Sequence, residues 1–260
     1  MGARLRGPGG GHVNGFWEGL QWLVANEHWS GTDGIPHRVW EHVQVSFIAL
    51  VIAAVIAVPL GLWVGHTRKA QFLTVQLSNV GRAIPSLAVL SIAFLLAVKL
   101  SPTLAFGFPP VVLALIVLAI PVILINTYVG IQQVEPDTVE AARGMGLSGR
   151  QILFGIELPL AAPLILTGLR LAAVLIVATA GLWALTAGGA LGRYIVDGFA
   201  LQETDRVVAG AILIAALAIA VDLVFTVFTR LASPRLTSTG PGARRTAARR
   251  SGRTAGSTGE

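Results

Sequence analysis

Five long stretches of apolar residues follow one another along the chain, separated by shorter polar segments. They cover residues 45–65, 72–98, 110–131, 161–187 and 207–229. A helix needs about 20 apolar residues to cross the hydrocarbon core of a bilayer, and each stretch reaches that length. The pattern therefore predicts an all-α membrane protein with five spans, held within a domain of residues 39–231.

The N-terminal residues 1–38 lack an apolar core long enough to span a membrane. Apolar residues recur there at helical spacing, which predicts a short amphipathic helix. They are Phe16, Trp17, Leu20, Leu23 and Val24. Four of the six tryptophans also precede residue 41, and tryptophan favours the lipid headgroup level. We expect residues 1–38 to form an extracytoplasmic segment whose helix lies at the membrane interface.

Basic residues mark one side of the predicted bundle. Arg68 and Lys69 lie in the loop 66–71, which has no acid, and seven arginines against one acid occupy the chain from Arg230 onward. Because loops rich in Lys and Arg stay cytoplasmic, both clusters are predicted to face the cytoplasm, together with the loop 132–160. The N-terminus is then predicted to lie outside and the C-terminus inside.

The C-terminal residues 232–260 form a basic cytoplasmic tail in this interpretation. Residues 236–260 are rich in Gly, Ser, Thr and Ala, with little that could form a core, and this composition predicts disorder. A basic tail can attract nucleic acid or anionic lipid. Because the tail follows the last span, we interpret its basic residues as a signal for membrane orientation. We expect the protein to contact the lipid bilayer and not nucleic acid.

The overall composition narrows the possible chemistry. Only 12% of the residues are charged, too few to cover a soluble globule, and the absence of cysteine excludes disulfides and thiolate zinc sites. No segment has the spacing of a phosphate-binding loop, so we expect no ATP hydrolysis by this chain. The five histidines lack the spacing of metal ligands, and we expect no metal or cofactor. They are His12, His28, His37, His42 and His66, of which His37 and His42 are expected at the interface.

Charged residues inside the apolar stretches are candidate functional residues. Asp222 lies in the fifth stretch, and an intramembrane carboxylate is by default a functional hypothesis. For Asp222 we favour packing or solvation at the interface over a role in substrate binding. Arg82 and Arg170 lie near the cytoplasmic ends of their spans, where we expect their side chains to reach the headgroups. Lys99 is expected at the outer boundary.

The segment 132–160, which we call the elbow, is too polar and too often broken to enter lipid. Pro136 suits a first helical turn, and Asp137 with Glu140 resembles a capping box, so a helix is predicted over about 137–144. Gly144 and Gly146 are expected to end that helix. The elbow is either an amphipathic linker on the headgroups or a surface that receives a partner.

A second helix is predicted to follow within the elbow. Ser148 and Gln151 have the spacing of another capping box, opening a helix through about residue 155. Leu158 and Pro159 are expected to form the turn into the fourth span.

One pattern in the elbow resembles a known family. The residues Glu140, Ala141, Ala142, Gly146, Ile156, Leu158 and Pro159 stand at the spacing of the EAA loop of binding-protein-dependent ABC importer permeases, the MetI-like family. This resemblance implies a five-span MetI-like membrane domain in a bacterial plasma membrane. It also implies a non-catalytic subunit that works with a separate ATPase, a second permease (identical or paralogous) and an extracytoplasmic solute-binding protein.

The same resemblance implies roles for these residues. In the family the loop fits a cleft on the ATPase and passes its ATP-driven closure to the membrane helices. Glu140, Ala141, Ala142 and Gly146 would then dock on the ATPase. Ile156, Leu158 and Pro159 would anchor the elbow to the fourth span.

Three further runs resemble the glycine betaine, carnitine, choline and proline branch of these permeases. They are Arg82 to Ala88, Asn126 to Ile131 and Gly188 to Asp197. The implied function is import of a small osmoprotectant, with the residues that bind it unknown. The alternatives are import of another small solute such as an amino acid, an ion-coupled carrier, and a membrane scaffold that does not transport.

Overall fold

The computed structural model describes residues 11–186 and 188–232, all of them helical or irregular. The helices are α1 (Gly11–Val24), α2 (Ile35–Thr67), α3 (Gln71–Ala83), α4 (Ser86–Leu100), α5 (Pro102–Ala105), α6 (Pro109–Gln132), α7 (Pro136–Gly144), α8 (Gly149–Ile152), α9 (Leu158–Ala180), α10 (Gly192–Leu201) and α11 (Thr204–Ala232). The disorder predicted for 236–260 lies outside the described residues.

Helices long and apolar enough to cross a membrane number four within the described part of the chain. They are α2, α6, α11 and the continuous helical segment from Gly149 to Thr186 that contains α9. A fifth crossing is present if α3 and α4 together form one broken span.

The expected second span, 72–98, is not one continuous helix. Its two halves, α3 and α4, meet at an angle of 95°. The break occurs at Ile84 and Pro85, whose backbones are extended, with ψ values of 126° and 130°. Proline lacks an N–H donor and its ring forces the preceding residue out of the helical region, so the helix ends there despite its apolar sequence.

The core of the bundle is built where α2, α6 and α9 pack together. Ala49, Ala53, Ala57 and Gly61 repeat every four residues along α2 and are buried, forming one smooth face. A Cβ added at Gly61 would lie 2.6 Å from the Cβ of Thr127 on α6. Small residues let helix backbones approach closely, which is how membrane helices gain van der Waals contact. Pro59 lies inside α2 without ending it.

The predicted N-terminal helix is present as α1, and it packs on the beginning of α11. A Cβ added at Gly19 would lie 2.6 Å from Val208 Cγ1, so glycine permits this contact. Phe16 and Trp17 on α1 remain more than half exposed. The helix therefore combines a packed face with an exposed aromatic face.

Polar groups inside the bundle find partners that sequence analysis did not foresee. His42, expected at the interface, is fully buried, and its Nε2 donates to the carbonyl of Val177 over 2.9 Å. Arg170, expected to reach the headgroups, instead pairs with Asp222 through two hydrogen bonds of 2.6 Å. This ion pair joins α9 to α11. The side chain of Arg82 lies outside the described part of the structure.

At the end of the bundle opposite the elbow, α2 is fastened to the loop 188–192. The carboxylate of Glu41 accepts the backbone N–H of Ala190 at 2.9 Å and a hydrogen bond from Arg38 at the same distance. Arg38 also pairs with Asp33. The hydroxyl of Tyr194 donates to the carbonyl of Asp33 over 2.7 Å. We call this set of contacts the clasp.

Candidate functional site

The first half of the elbow is the helix α7, close to the predicted 137–144. Its N-cap is Glu135, whose carbonyl accepts hydrogen bonds from the backbone N–H groups of Thr138 and Val139. The capping box predicted from Asp137 is wrong, because Pro136 occupies the first helical position and places Asp137 inside the first turn. Asp137 still lies at the N-terminus of α7, where the positive end of the helix dipole stabilises an acidic side chain.

The end of α7 depends on Gly146, as predicted. Its φ is +85°, in the left-handed region that favours glycine. The N–H of Leu147 donates to the carbonyl of Ala142 over 3.2 Å, and that of Gly146 to Arg143 over 2.9 Å. This geometry is the Schellman motif, which satisfies carbonyls at a helix end.

A small apolar core lies inside the elbow. Its buried residues are Val134, Val139, Ala142 and Ile152, with Leu147 and Ile156 packed against them. Ala142, expected to dock on a partner, has no exposed surface because it belongs to this core. The elbow therefore keeps its shape through its own packing.

The exposed surface of α7 and its turn carries the remaining residues expected to dock. Glu140, Ala141 and Gly146 are all exposed, and a Cβ added at Gly146 would meet nothing within 4 Å. Two large apolar side chains that sequence analysis missed join them on the elbow surface, Met145 at 73% exposure and Phe154 at 60%. Met145 had a signal in the sequence, as a large apolar residue between two glycines, whereas Phe154 lies within an apolar run and had none.

The second capping box is confirmed. Oε1 of Gln151 accepts hydrogen bonds from the backbone N–H and the hydroxyl of Ser148, both at 2.8 Å. The helix that begins there does not end at about 155. It continues through a π-helical turn, Leu153–Glu157, into α9.

The turn expected at Leu158 and Pro159 is absent, since both residues lie in the first turn of α9. Proline cannot donate to the carbonyl four residues earlier, and its ring crowds that carbonyl. The wider π turn before Pro159 accommodates this without breaking the helix, with the N–H of Leu158 bonded five residues back to Leu153.

The residues expected to anchor the elbow lie in different surroundings. Ile156 packs on the elbow core, whereas Leu158 packs on a second cluster with Ile131, Ala161 and Ile165 of α6 and α9. Pro159 is exposed. The two apolar side chains thus join the elbow core to the membrane helices, and Pro159 acts through the backbone.

A contact between two polar side chains that sequence analysis did not foresee connects the elbow to α2. Oε2 of Glu157 lies 2.5 Å from Nδ1 of His66, in the last turn of α2. Glu157 is buried, and the Nε2 of His66 faces Gly149, where an added Cβ would lie 3.3 Å away. The signal in the sequence was one carboxylate in an otherwise apolar run.

The sequence was compared with known protein families. Residues 57–238 match the model of the binding-protein-dependent transport system inner membrane component. The chain belongs to this family. Members of this family work with an ATPase and a binding protein in ABC importers, and they are multi-pass membrane proteins.

Individual members of the family align with three quarters of the chain. The choline transport system permease protein OpuBB of Bacillus subtilis is 33% identical over 198 residues, covering 76% of this chain and 88% of that protein. The carnitine transport permease protein OpuCD of Listeria monocytogenes is 33% identical over 201 residues, covering 77% and 87%. The osmoprotectant import permease protein OsmY of Salmonella typhimurium is 31% identical over 195 residues, covering 74% and 80%.

Solved structures of ABC importers share the fold. An inward-facing MetNI methionine transporter matches with a TM-score of 0.68 at 20% identity, over 76% of this chain and 95% of that one. An amino acid ABC transporter with histidines matches with a TM-score of 0.59 at 20% identity, over 76% and 92%. The all-α MetI-like fold class predicted from the sequence is confirmed, as is the resemblance to the osmoprotectant branch.

Proposed function

We propose that this chain is the translocating subunit of an ATP-driven importer for small osmoprotectants of the glycine betaine, choline, carnitine or proline type. The observation that carries this proposal is the 31–33% identity to choline, carnitine and osmoprotectant permeases over three quarters of the chain. The likeness to methionine transporters, at 20% identity, concerns the fold alone.

The proposed mechanism places the elbow in a cleft of a separate ATPase subunit. ATP binding closes the ATPase dimer and moves the elbows of two permease subunits together, and the path opens outward to receive solute from the binding protein. Hydrolysis then resets the path inward. The elbow supports this role because its apolar core preserves its shape while Glu140, Ala141 and Gly146 stay exposed.

The proposed orientation has the elbow and the C-terminus in the cytoplasm and the N-terminus outside, in a bacterial plasma membrane. Contacts within the bundle support it. The His66–Glu157 pair brings the basic loop after α2 to the same end as the elbow. The clasp brings the segment before α2 and the loop 188–192 together at the opposite end.

An ion-coupled carrier is the rival from another class, and it needs intramembrane charges that are free to bind ions. Arg170 and Asp222 instead satisfy each other through two hydrogen bonds. This pairing favours a structural role for both residues and supports an importer driven by another subunit.

Gly146→Asp tests the docking role of the elbow. The transporter, reconstituted in liposomes with its ATPase and binding protein, should still hydrolyse ATP but lose coupled uptake of radiolabelled glycine betaine, choline or carnitine. Gly31→Asp is the matched control, because Gly31 has a φ of +84° and equally open surroundings at the opposite end of the bundle. Normal uptake by Gly146→Asp would refute the docking role.

The substrate class has its own test in the same liposomes. Unlabelled glycine betaine, choline, carnitine and proline compete with the labelled solute, and methionine serves as the comparison compound. If methionine competes and none of the four osmoprotectants does, the substrate would be an amino acid and the proposed substrate class would be wrong. Uptake without ATPase or binding protein would support the ion-coupled carrier.

A further inference from the structure

We propose that the His66–Glu157 pair is the joint through which the elbow moves α2, so that both are positioning residues for coupled transport. The proposal rests on the coupling role of the elbow proposed above. Neither residue belongs to the pattern by which the elbow was recognised, since Glu157 occupies the variable position between Ile156 and Leu158.

The order of the helices along the chain determines which of them follow the elbow directly. The elbow follows α6 and continues into α9, so those two helices move with it through the backbone. The C-terminus of α2 instead leads into α3, and α2 has no chain connection to the elbow. Movement of the elbow therefore reaches α2 across non-covalent contacts, either directly at His66 or through the faces of α6 and α9 that pack on α2.

Glu157 is almost completely enclosed by its surroundings. Its side chain is only 7% exposed and lies at the end of the π turn that precedes α9. A buried carboxyl group is costly unless it finds a hydrogen-bond partner, and the partner here is the imidazole of His66. The 2.5 Å contact with His66 therefore holds the two elements in a defined relation.

The elbow contacts His66 at two places. One ring nitrogen faces Glu157, and the other faces Gly149 at the start of α8. Because Gly149 has no side chain, the backbone of α8 comes close to the ring. The imidazole is thus held between the two ends of the segment from α8 to the π turn.

The end of α2 is also fixed to α6, which makes the contact effective. Nε2 of Gln132 donates to the carbonyl of Gly65 over 3.1 Å, and a Cβ added at Gly65 would lie 2.6 Å from Cβ of Ile131. A displacement of the elbow applied at His66 cannot be absorbed by fraying of this end. We expect it to be passed along α2 instead.

Substitutions in the complete transporter, with its ATPase and binding protein, test the joint. His66→Ala and Glu157→Ala should keep ATP hydrolysis while uptake per ATP falls about five- to tenfold, within the usual range of coupling between sites. His66→Asn, whose amide can donate near the position of Nδ1, should restore much of the loss. Thr67→Ala is the control, in the same turn of α2, with a hydroxyl that donates to the carbonyl of Trp63 in its own helix. Full coupling in both alanine variants would overturn the proposal.

A cross-link distinguishes a joint from a contact that merely stabilises the fold. The chain has no cysteine, so His66→Cys with Glu157→Cys introduces the only two thiols. The reduced double variant should be uncoupled, and a short bifunctional methanethiosulfonate reagent should restore uptake until a reductant removes it. Coupling in the reduced form, or a cross-linked form that stays uncoupled, would contradict the joint.

Gly146→Asp separates failure of this inference from failure of the proposed function. If Gly146→Asp uncouples transport but the His66 and Glu157 variants do not, only the joint is wrong. If Gly146→Asp also transports normally, the coupling role of the elbow is wrong as a whole.

Discussion

Replacing Gly146 with alanine isolates the backbone cost of the turn that ends α7. The φ of +85° is the relevant constraint, because nothing within 4 Å would collide with an added methyl group. Gly144 offers the matched substitution. It is the last residue of α7, its surroundings are equally open, and its backbone is helical.

The two substitutions should have opposite effects on the elbow. An L-residue in the left-handed region costs about 1–2 kcal/mol, so Gly146→Ala should weaken the turn by that amount. Alanine is about 0.8–1.0 kcal/mol more favourable than glycine inside a helix, so Gly144→Ala should stabilise α7 or leave it unchanged. The two variants should therefore differ by about 2–3 kcal/mol.

Hydrogen exchange measures this difference at the bonds concerned. The N–H groups of Gly146 and Leu147 close the turn, and about 1–2 kcal/mol of destabilisation corresponds to a 5- to 30-fold loss of their protection. Mass spectrometry of a peptide covering residues 142–148 would report it in the assembled transporter. Equal protection in the two variants would refute the claim that backbone conformation governs this turn.

Three further predictions concern the bundle. Asp222→Ala should lower the melting temperature of the purified protein by leaving Arg170 without its partner, and Arg170→Leu combined with Asp222→Leu should recover part of the loss. Gly61→Ala should destabilise the packing of α2 on α6 by about 1–3 kcal/mol in thermal unfolding, whereas Gly155→Ala, with open space around it, should not. Burial raises the pKa of Tyr194 to about 12, which means that the folded state favours the neutral side chain over the ionised one. Stability should therefore fall as pH rises from about 10, the pKa of an unfolded tyrosine, to about 12, and Tyr194→Phe should remove this dependence.

Features set by neighbouring residues were the ones that sequence analysis predicted well. Four of the five apolar stretches matched long continuous helices because apolar length is what a membrane span requires. Gly146 and the Ser148–Gln151 box were predicted because their chemistry acts within a few residues. Asp137 was misassigned since two adjacent rules, a capping acid and a first-turn proline, competed at one helix start.

Features that depend on packing between distant helices could not be predicted in the same way. His66 and Glu157 are 91 positions apart, and Arg170 and Asp222 are 52 apart. The sequence marks Glu157, Arg170 and Asp222 as charged positions in apolar runs, but their partners appear only once the helices are arranged. The bend at Pro85 was missed for another reason. The length of an apolar stretch shows that it can span a membrane, but it does not show whether the helix stays straight.

Pro59 divides the continuous helix α2 into a short part and a long part. His66 lies near one end of this helix and Glu41, which holds the loop 188–192, lies near the other. At 1.5 Å per residue, Pro59 is about 10 Å from His66 and about 27 Å from Glu41. If α2 turns as a rigid rod about Pro59, a shift of about 1 Å at the short arm becomes about 2.6 Å at the long one. The end of α2 at Glu41 would then move farther than the end at His66.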